Sequence, residues 1–336
     1  MRTPEEIRAA HFKATAGYGL MGLAMPPNPP PKETSFAAID TAIKLQEKPV
    51  LLNVGEFYGP NFINLQVARE YFESRPGVRE KVIVSCKGCF DIKTFTPLGD
   101  RASVIKSVEN CVREIGGFID IFEPARLDVK LAGSNVYPAE TFDTLVEFVQ
   151  KGVIGAISLS EVDAKQIAAI DDKYHDYLAC VEVELSLFSP EILSNGVADI
   201  CNARGLPILC YSPLCRGLLT GSIKSADDVP EGNYRRSLKR FSGEALEHNL
   251  QLNKFLQEEI VDKREDGITL PQVAMAWIVS NNSKYPGTKF IPLSGGSSGR
   301  RVLENYTFKK LSDSELQKIN AFLKDFTVVG DRYERI

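Results

Sequence analysis

VIGAISLSEVDAKQIAAIDDKYHDYLACVEVELS, residues 153–186, decides the fold. An apolar run, Val153–Ser160, gives way to a helical pattern, Ala164–Ile170, and then to a second apolar run, Leu178–Ser186. Short β-branched runs alternating with longer helical patterns imply parallel strands joined by helical crossovers. The alternation extends both ways. Strand-like runs fall at Tyr18–Ala24, Val50–Val54, Lys81–Lys87 and Phe118–Ala125 before this stretch, and at Pro207–Ser212 and Lys289–Leu293 after it, eight in all. Helical patterns between them cover Ser35–Leu45, Asn64–Phe72, Val104–Ile115, Ala139–Gln150, Pro190–Asn202 and Leu270–Val279, with a short turn at Arg300–Asn305. Eight units favour a closed (β/α)8 TIM barrel over an open sheet, and the Gly-x-Gly-x-x-Gly spacing at Gly17–Gly22 overlaps the first run instead of following it as the turn of an open nucleotide-binding sheet would. Ser312–Lys324 reads as an extra C-terminal helix, with Ser312 and Glu315 at capping-box spacing.

Composition agrees with a large apolar core. The chain has 336 residues, 43% of them hydrophobic, and a net charge of -4. Length alone suggests about two domains, but one barrel takes about 250 residues and more with insertions, so residues 1–336 are expected to form a single barrel domain. The acidic balance argues against nucleic acid or an anionic membrane as partner. No apolar run approaches about 20 residues and no leader pattern opens the chain, which predicts a cytoplasmic location. An odd count of seven cysteines predicts reduced thiols, and the lone Cys86-Lys87-Gly88-Cys89 ends a strand instead of opening a helix as a redox motif requires. Three histidines, none in a hydrolase or zinc motif, leave little for those chemistries, and no metal site is expected.

Two loops are long. Met25–Glu33 is Pro-rich and reads as a stiff connection, a proline-rich ligand for another domain being the alternative. Gly217–Lys254 follows the seventh strand, and its Arg235, Arg236, Lys239 and Arg240 suit either a solvated surface or a clamp for a cofactor phosphate.

In barrels of this kind the site is built at the C-terminal ends of the strands. Polar residues there include Asn53, Glu56 and Tyr58; Lys87; Glu123 and Arg126; Ser158, Ser160 and Glu161; Glu182 and Glu184, which alternation puts on one face; Tyr211; and Ser294–Gly299. Lys87 ends an apolar run, and burying an ammonium is costly unless it is paired or useful. Tyr58 and Lys87 are expected to meet at the barrel mouth. A free Tyr titrates near about 10. A Lys at about 4 Å offers roughly 4 kcal/mol of gross attraction to tyrosinate, enough to lower that value by about 3 units before desolvation. This is the sign required of an acid that protonates a carbonyl oxygen. The Gly-rich turn after the eighth strand, beside the helix at Arg300–Asn305, suits a phosphate.

These positions together resemble the aldo-keto reductase superfamily. Asn53–Gly59 looks like its Asp-Thr-Ala-x-x-Tyr-Gly motif, Gly152–Glu161 like Gly-Lys-Ile-Arg-x-x-Gly-Val-Ser-Asn, and Tyr211–Gly221 like Tyr-Ser-Pro-Leu-Gly-Arg-Gly-Leu-Leu-Thr-Gly; Thr269–Trp277 and Glu304-Asn305 also match. The motifs occur in family order over nearly the whole chain. The branch most resembled is that of the fungal pyridoxal reductases, through Gly17–Met21, Asn53–Pro60, Ile119–Glu123, Ser158–Val162, Val181–Ser186 and Val329–Tyr333.

The resemblance implies NADPH as cofactor, pyridoxal as substrate, and a role in vitamin B6 metabolism. It implies Tyr58 as proton donor and Lys87 as its partner. Asn53 stands where Asp is expected and Ala125 where His is expected. Glu123, two residues before Ala125, is the candidate to pair with Lys87 or to touch substrate; a structural acid is the alternative. Asn53 is expected to hold Lys87 or a water. On the cofactor side the resemblance implies Tyr211 as the ring that stacks on nicotinamide. Ser160, Glu161 (in the usual Asn place) and Glu182 (in the usual Gln place) are its carboxamide contacts. Leu214, Arg216, Ser297, Ser298, Arg301 and Asn305 are implied around its phosphates and adenosine. Gly295 falls where some relatives have a phosphate-binding Lys. The alternatives are a general aldehyde or quinone reductase and a weakly catalytic NADPH-binding sensor or regulatory subunit. Oligomeric state stays open.

Overall fold

The computed structural model describes residues 2–25 and 27–333. Its eight parallel strands close a barrel: β1 Gly17–Gly19, β2 Val50–Gly55, β3 Val82–Gly88, β4 Ile119–Pro124, β5 Ile154–Ser160, β6 Leu178–Glu184, β7 Ile208–Tyr211 and β8 Phe290–Ser294. Each strand pairs with the next in sequence, and β1 closes the ring against β8, Gly17 beside Leu293 and Tyr18 beside Ser294. The expected (β/α)8 TIM barrel is therefore the fold. Crossover helices α2 Lys32–Leu45, α3 Ile63–Ser74, α4 Arg101–Ile115, α6 Ala139–Gln150, α7 Ala164–Tyr174, α8 Val197–Arg204, α10 Leu270–Ser280 and α11 Gly299–Tyr306 cover the outside. A single turn, α5 Val129–Ala132, precedes α6, and the C-terminal helix α12 runs Asp313–Asp325 from a capping box between Ser312 and Glu315.

Alternation along each strand sorts the barrel interior into layers. Leu51, Ile83, Ile121, Ala156, Cys180, Leu209 and Ile291 form an apolar lower plug. Two residues further along the same strands the inward positions turn polar: Asn53, Ser85, Glu123, Ser158 and Glu182, all buried. Lys87, Ser160, Glu184 and Tyr211 follow at the mouth. Gly17 belongs to the crowded interior. A Cβ there would lie 2.7 Å from a Leu51 methyl and 2.8 Å from a Leu293 methyl, so any larger residue forces both leucines of the plug to move.

The bottom of the barrel is closed by an element that the sequence reading did not expect, helix α1 Pro4–Lys13. Thr3 and Glu6 cap it reciprocally at 3.2 and 2.8 Å, Pro4 takes its first turn, and Ile7 joins the apolar plug. His11 is 1% exposed, with the Ala179 backbone as the polar neighbour of its ring. Burial depresses its pKa to about 4. The unfolded chain takes up this proton near pH 6.5, so the stability is complete above that value and is lost as pH falls toward 4. The loss expected from this one group is about 3 kcal/mol. Urea unfolding at both ends of the window should show it, and His11→Leu should remove it; an unchanged slope in the variant would rule out His11 as its source.

Other boundaries moved for physical reasons. The run Tyr18–Ala24 is strand only through Gly19; Leu20 then donates to the Asn53 carbonyl at 2.9 Å and the chain coils into a 3-10 turn, Met21–Leu23. The helix expected over Pro190–Asn202 is broken at Gly196, at φ +89, so that a 3-10 turn at Glu191–Leu193 precedes α8. Gly217–Lys254 is a loop of short 3-10 turns only to Ser242, after which α9 runs Gly243–Glu259. In the Pro-rich connection irregular backbone runs up to α2, and Pro26 lies outside the described residues. All seven cysteines are free and buried; burial pushes the Cys89 thiol far up, away from reactivity. No described helix is long and apolar enough to cross a membrane.

Candidate active site

Tyr58 sits on the turn after β2. Gly55 makes this possible, because a Cβ there would lie 2.8 Å from the Tyr58 ring. Three contacts pin the turn. Asn64 accepts from Gly55 N at 3.0 Å and donates to the Leu20 carbonyl at 2.8 Å. Glu56 N donates to the Lys87 carbonyl at 2.8 Å. The Glu56 carboxylate accepts from Ser107 at 2.5 Å and Asn110 at 3.4 Å on α4. Asn64 and Ser107 were not picked out from the sequence; a polar residue buried at an otherwise apolar helix position was the available signal.

Beneath the turn lies a charged layer. Lys87 Nζ is 2.6 Å from Glu182 Oε1, 3.4 Å from Glu123 Oε1 and 4.7 Å from the centre of the Tyr211 ring. Asn53 donates through Nδ2 to Glu182 Oε2 at 2.8 Å, and Ser158 donates to Glu123 Oε2 at 2.7 Å. The expected pairing of Glu123 with Lys87 is thus present, but the nearer partner is Glu182. Asn53, expected to hold Lys87 or a water, holds the counter-ion instead. Burial opposes the Lys87 charge, yet Glu182, Tyr58 and Glu123 outweigh it and hold the ammonium well above its usual range. Glu123 is pushed far up, first by burial and then by the Glu182 charge, against the pull of Lys87 and the hydrogen bond from Ser158. The expected lowering of the Tyr58 pKa is overturned in net direction. Lys87 does pull it down, but burial is larger, and Glu182, Glu123 and Tyr333 push the same way as burial.

At the rim the C-terminal tail crosses the mouth. Arg332 pairs closely with Glu161 and lies 3.7 Å from Glu184, and the Tyr333 hydroxyl meets the Tyr211 hydroxyl at 3.1 Å. Arg126 reaches Glu161 at 3.7 Å. Burial would raise Glu161, but Arg126 and Arg332 outweigh it and hold the carboxyl low. Glu161 and Glu182, expected near a carboxamide, therefore have their carboxylates engaged by protein cations.

Ser160, the other residue expected near a carboxamide, has its Oγ buried and without a hydrogen-bond partner. The second expected group gathers across the rim. Ser298 caps α11 by accepting from Arg301 N at 3.4 Å, and Arg301 donates to Ser297 Oγ at 3.0 Å. Asn305 donates to the Gly295 carbonyl at 2.8 Å and so fixes the Gly-rich turn. Arg235 reaches this rim by donating to the Arg216 carbonyl at 2.9 Å; burial and the Arg301 charge hold its guanidinium below its ordinary value. Two crowded arginines beside a helix N-terminus fit a phosphate. Leu214 accepts from Gly217 N and Leu219 N in the loop after β7. The Arg216 side chain points away from this rim, toward Glu184 at 3.6 Å.

The model of the aldo/keto reductase family matches residues 16–324. The chain belongs to the aldo/keto reductase family. It is 50% identical over 332 residues, 96% of each chain, to a Saccharomyces cerevisiae (strain ATCC 204508 / S288c) protein named "Putative pyridoxal reductase". It is 34% identical over 333 residues, 95% of this chain and 94% of the other, to a Schizosaccharomyces pombe (strain 972 / ATCC 24843) protein named "Probable pyridoxal reductase 2". A glycerol dehydrogenase from Gluconobacter oxydans shares the fold with a TM-score of 0.72 at 20% identity, over 93% of this chain and 92% of that one.

Set against the motifs expected of an aldo/keto reductase, the charged layer acquires a simple reading. Asp is expected at position 53 and Gln at 182; the chain has Asn53 and Glu182. In this chain the amide stands on β2 and the carboxylate on β6, and a hydrogen bond of 2.8 Å joins them across the barrel.

Proposed function

We propose that this aldo/keto reductase reduces an aldehyde, pyridoxal to pyridoxine, using NADPH, and that Tyr58 donates the proton to the carbonyl oxygen. The observation that carries the reading is the ion pair of Lys87 with Glu182 at 2.6 Å, buried beneath the Tyr58 turn. A phenol held neutral by burial is an acid in reserve. It gives up its proton when the carbonyl oxygen gains electron density, and the tyrosinate left behind is stabilised by Lys87. The relatives' names point to pyridoxal, and the residue pattern of the site is compatible with it.

NADPH fits the residues present: unpartnered Ser160 Oγ for a carboxamide, Tyr211 as a flat ring, and Ser297, Ser298, Arg301 and Arg235 for phosphates. When bound, the cofactor supplies the hydride. Tyr211 and Ser160 orient its ring, Leu214 and Asn305 shape the backbone around it, and the tail excludes water from the mouth. NADPH consumption against pyridoxal, nitrobenzaldehyde and phenanthrenequinone tests the substrate. Pyridoxal should have the highest kcat/KM, and reduction of the other two alone would favour a general reductase. Arg301→Ala should raise the Kd for NADPH by about tenfold, the value of one charge-assisted contact, with little change for NADH. Equal losses for both cofactors would remove Arg301 from the 2′-phosphate.

A further inference from the structure

The Tyr333 ring lies between two arginines. Its centre is 4.6 Å from the Arg216 guanidinium carbon and 5.4 Å from that of Arg126, and its hydroxyl is 3.1 Å from that of Tyr211. Arg216 is the unusual member of this group. Its side chain is only 5% exposed, yet neither terminal nitrogen has a hydrogen-bond partner. The nearest carboxylate oxygen, on Glu184, stands off at 3.6 Å and is itself without a hydrogen bond. A buried guanidinium with a carboxylate at ion-pair distance but no hydrogen bond at either end is costly, because each lost charge-assisted bond is worth about 1.5–3 kcal/mol. Acidic groups nearby do not cancel the cations. Glu161 and Glu184 face Arg126, Arg216 and Arg332, and Arg240 is buried against Ser189 at 3.2 Å close behind.

We infer that the slot between Arg126 and Arg216, which the Tyr333 ring fills in this structure, is the seat of an aromatic aldehyde bearing an ionised ring hydroxyl, held by these two arginines after Tyr333 is displaced. The inference rests on the reductase reading above and names the substrate class of that site. Pyridoxal belongs to the class: its ring hydroxyl ionises readily because the ring nitrogen takes the proton. A flat ring between two guanidinium groups gains cation–π attraction as Tyr333 does, and the phenolate oxygen supplies the acceptor that Arg216 lacks. Arg240 and Asn249 hold the tail at Gly330 and Val329 and Glu161 holds Arg332, whereas the Tyr333 ring is 38% exposed, so the ring can leave the slot by a side-chain rotation while the tail stays in place.

The slot is tested without turnover by binding 4-nitrophenol and its uncharged analogue 4-nitroanisole to the full chain in mildly alkaline buffer. The phenolate should bind at least about tenfold tighter than the ether, a difference that Arg126→Gln and Arg216→Gln each reduce to about twofold. Tyr333→Ala should tighten phenolate binding, because the competing ring is gone. In turnover the same arginine variants should raise KM for pyridoxal and 2-hydroxybenzaldehyde at least about fivefold more than for benzaldehyde, which loses only the cation–π attraction. Equal binding of the two probes, or a preference that survives both arginine variants, overturns the inference. So does Arg216→Gln weakening NADPH while the probes are unaffected, since Arg216 then serves the cofactor. Phenolate preference in a protein that reduces no aldehyde leaves the slot standing and removes the reductase reading; reduction of pyridoxal and benzaldehyde with equal kcat/KM does the reverse.

Discussion

The E123Q/E182Q double variant is expected to lose more stability and more turnover than its two single variants combined. In the native layer Lys87 has Glu182 at 2.6 Å and Glu123 at 3.4 Å, and burial together with the Glu182 charge pushes the Glu123 carboxyl up. Removing Glu182 takes away that repulsion and leaves Glu123 as the remaining counter-ion, so E182Q costs little more than the difference between a close and a looser pair. Removing Glu123 leaves the closer pair of Lys87 with Glu182 intact, and E123Q costs less again. Removing both leaves an ammonium buried with no carboxylate, which costs about 3–5 kcal/mol. Coupling within one network is the condition under which additivity fails, by about 0.5–3 kcal/mol. Urea unfolding and kcat/KM on all four members of the cycle would measure it; strictly additive losses would show that the two acids do not share Lys87. N53D/E182Q makes a complementary control. It returns the carboxylate to position 53 and the amide to 182 and should recover to within about tenfold of the native kcat. N53D alone sets two carboxylates about one hydrogen bond apart and should lose more.

The barrel could be read from the chain because alternation is a local property. A strand whose residues point alternately in and out shows its period within six residues, and the apolar-to-polar change from Leu51 to Asn53, or from Ile83 through Ser85 to Lys87, already marks the end of the barrel where chemistry sits. Tyr58, Lys87 and Ser160 were legible for the same reason. The Asn53 and Glu182 exchange was legible as two departures but not as one event, since the strands that carry them are separated by 129 residues and meet only across the barrel. The sign of the Tyr58 shift was missed because Coulomb attraction to one lysine can be estimated from motifs, whereas burial depends on everything packed around the ring. Helix α1 was missed although Thr3-Pro4-Glu5-Glu6 carries a capping box and a proline at the first turn; its apolar face is narrow, and only Ile7 and His11 are buried. The placement of Arg332 and Tyr333 had no local signal at all. Their partners, Glu161, Glu184, Tyr211 and Arg216, come from loops and strand ends far away in the chain.

Replacing Tyr58 by Phe should lower kcat by about 10²–10⁴-fold, the usual value of a positioned proton donor, and leave the Kd for NADPH unchanged. The substitution keeps the ring, and with it the edge-on contact to Phe57 at 5.1 Å and the close fit over Gly55, so the turn pinned by Glu56 and Asn64 has no reason to move. What disappears is the proton. The pH profile supplies a second, independent reading. An acid must be protonated to act, and burial holds the Tyr58 phenol above its ordinary value against the pull of Lys87. Turnover should therefore stay level through neutral pH and fall only in strongly alkaline buffer, where Tyr58 ionises. Lys87→Met removes the ammonium that makes tyrosinate tolerable. It should lower kcat and move the alkaline limb further up, since the one influence that lowers the Tyr58 pKa is gone and burial is left unopposed. A Tyr58→Phe enzyme with native kcat would end the assignment of Tyr58 as donor. An alkaline limb that shifts downward in Lys87→Met would show that the lysine acts on some other group.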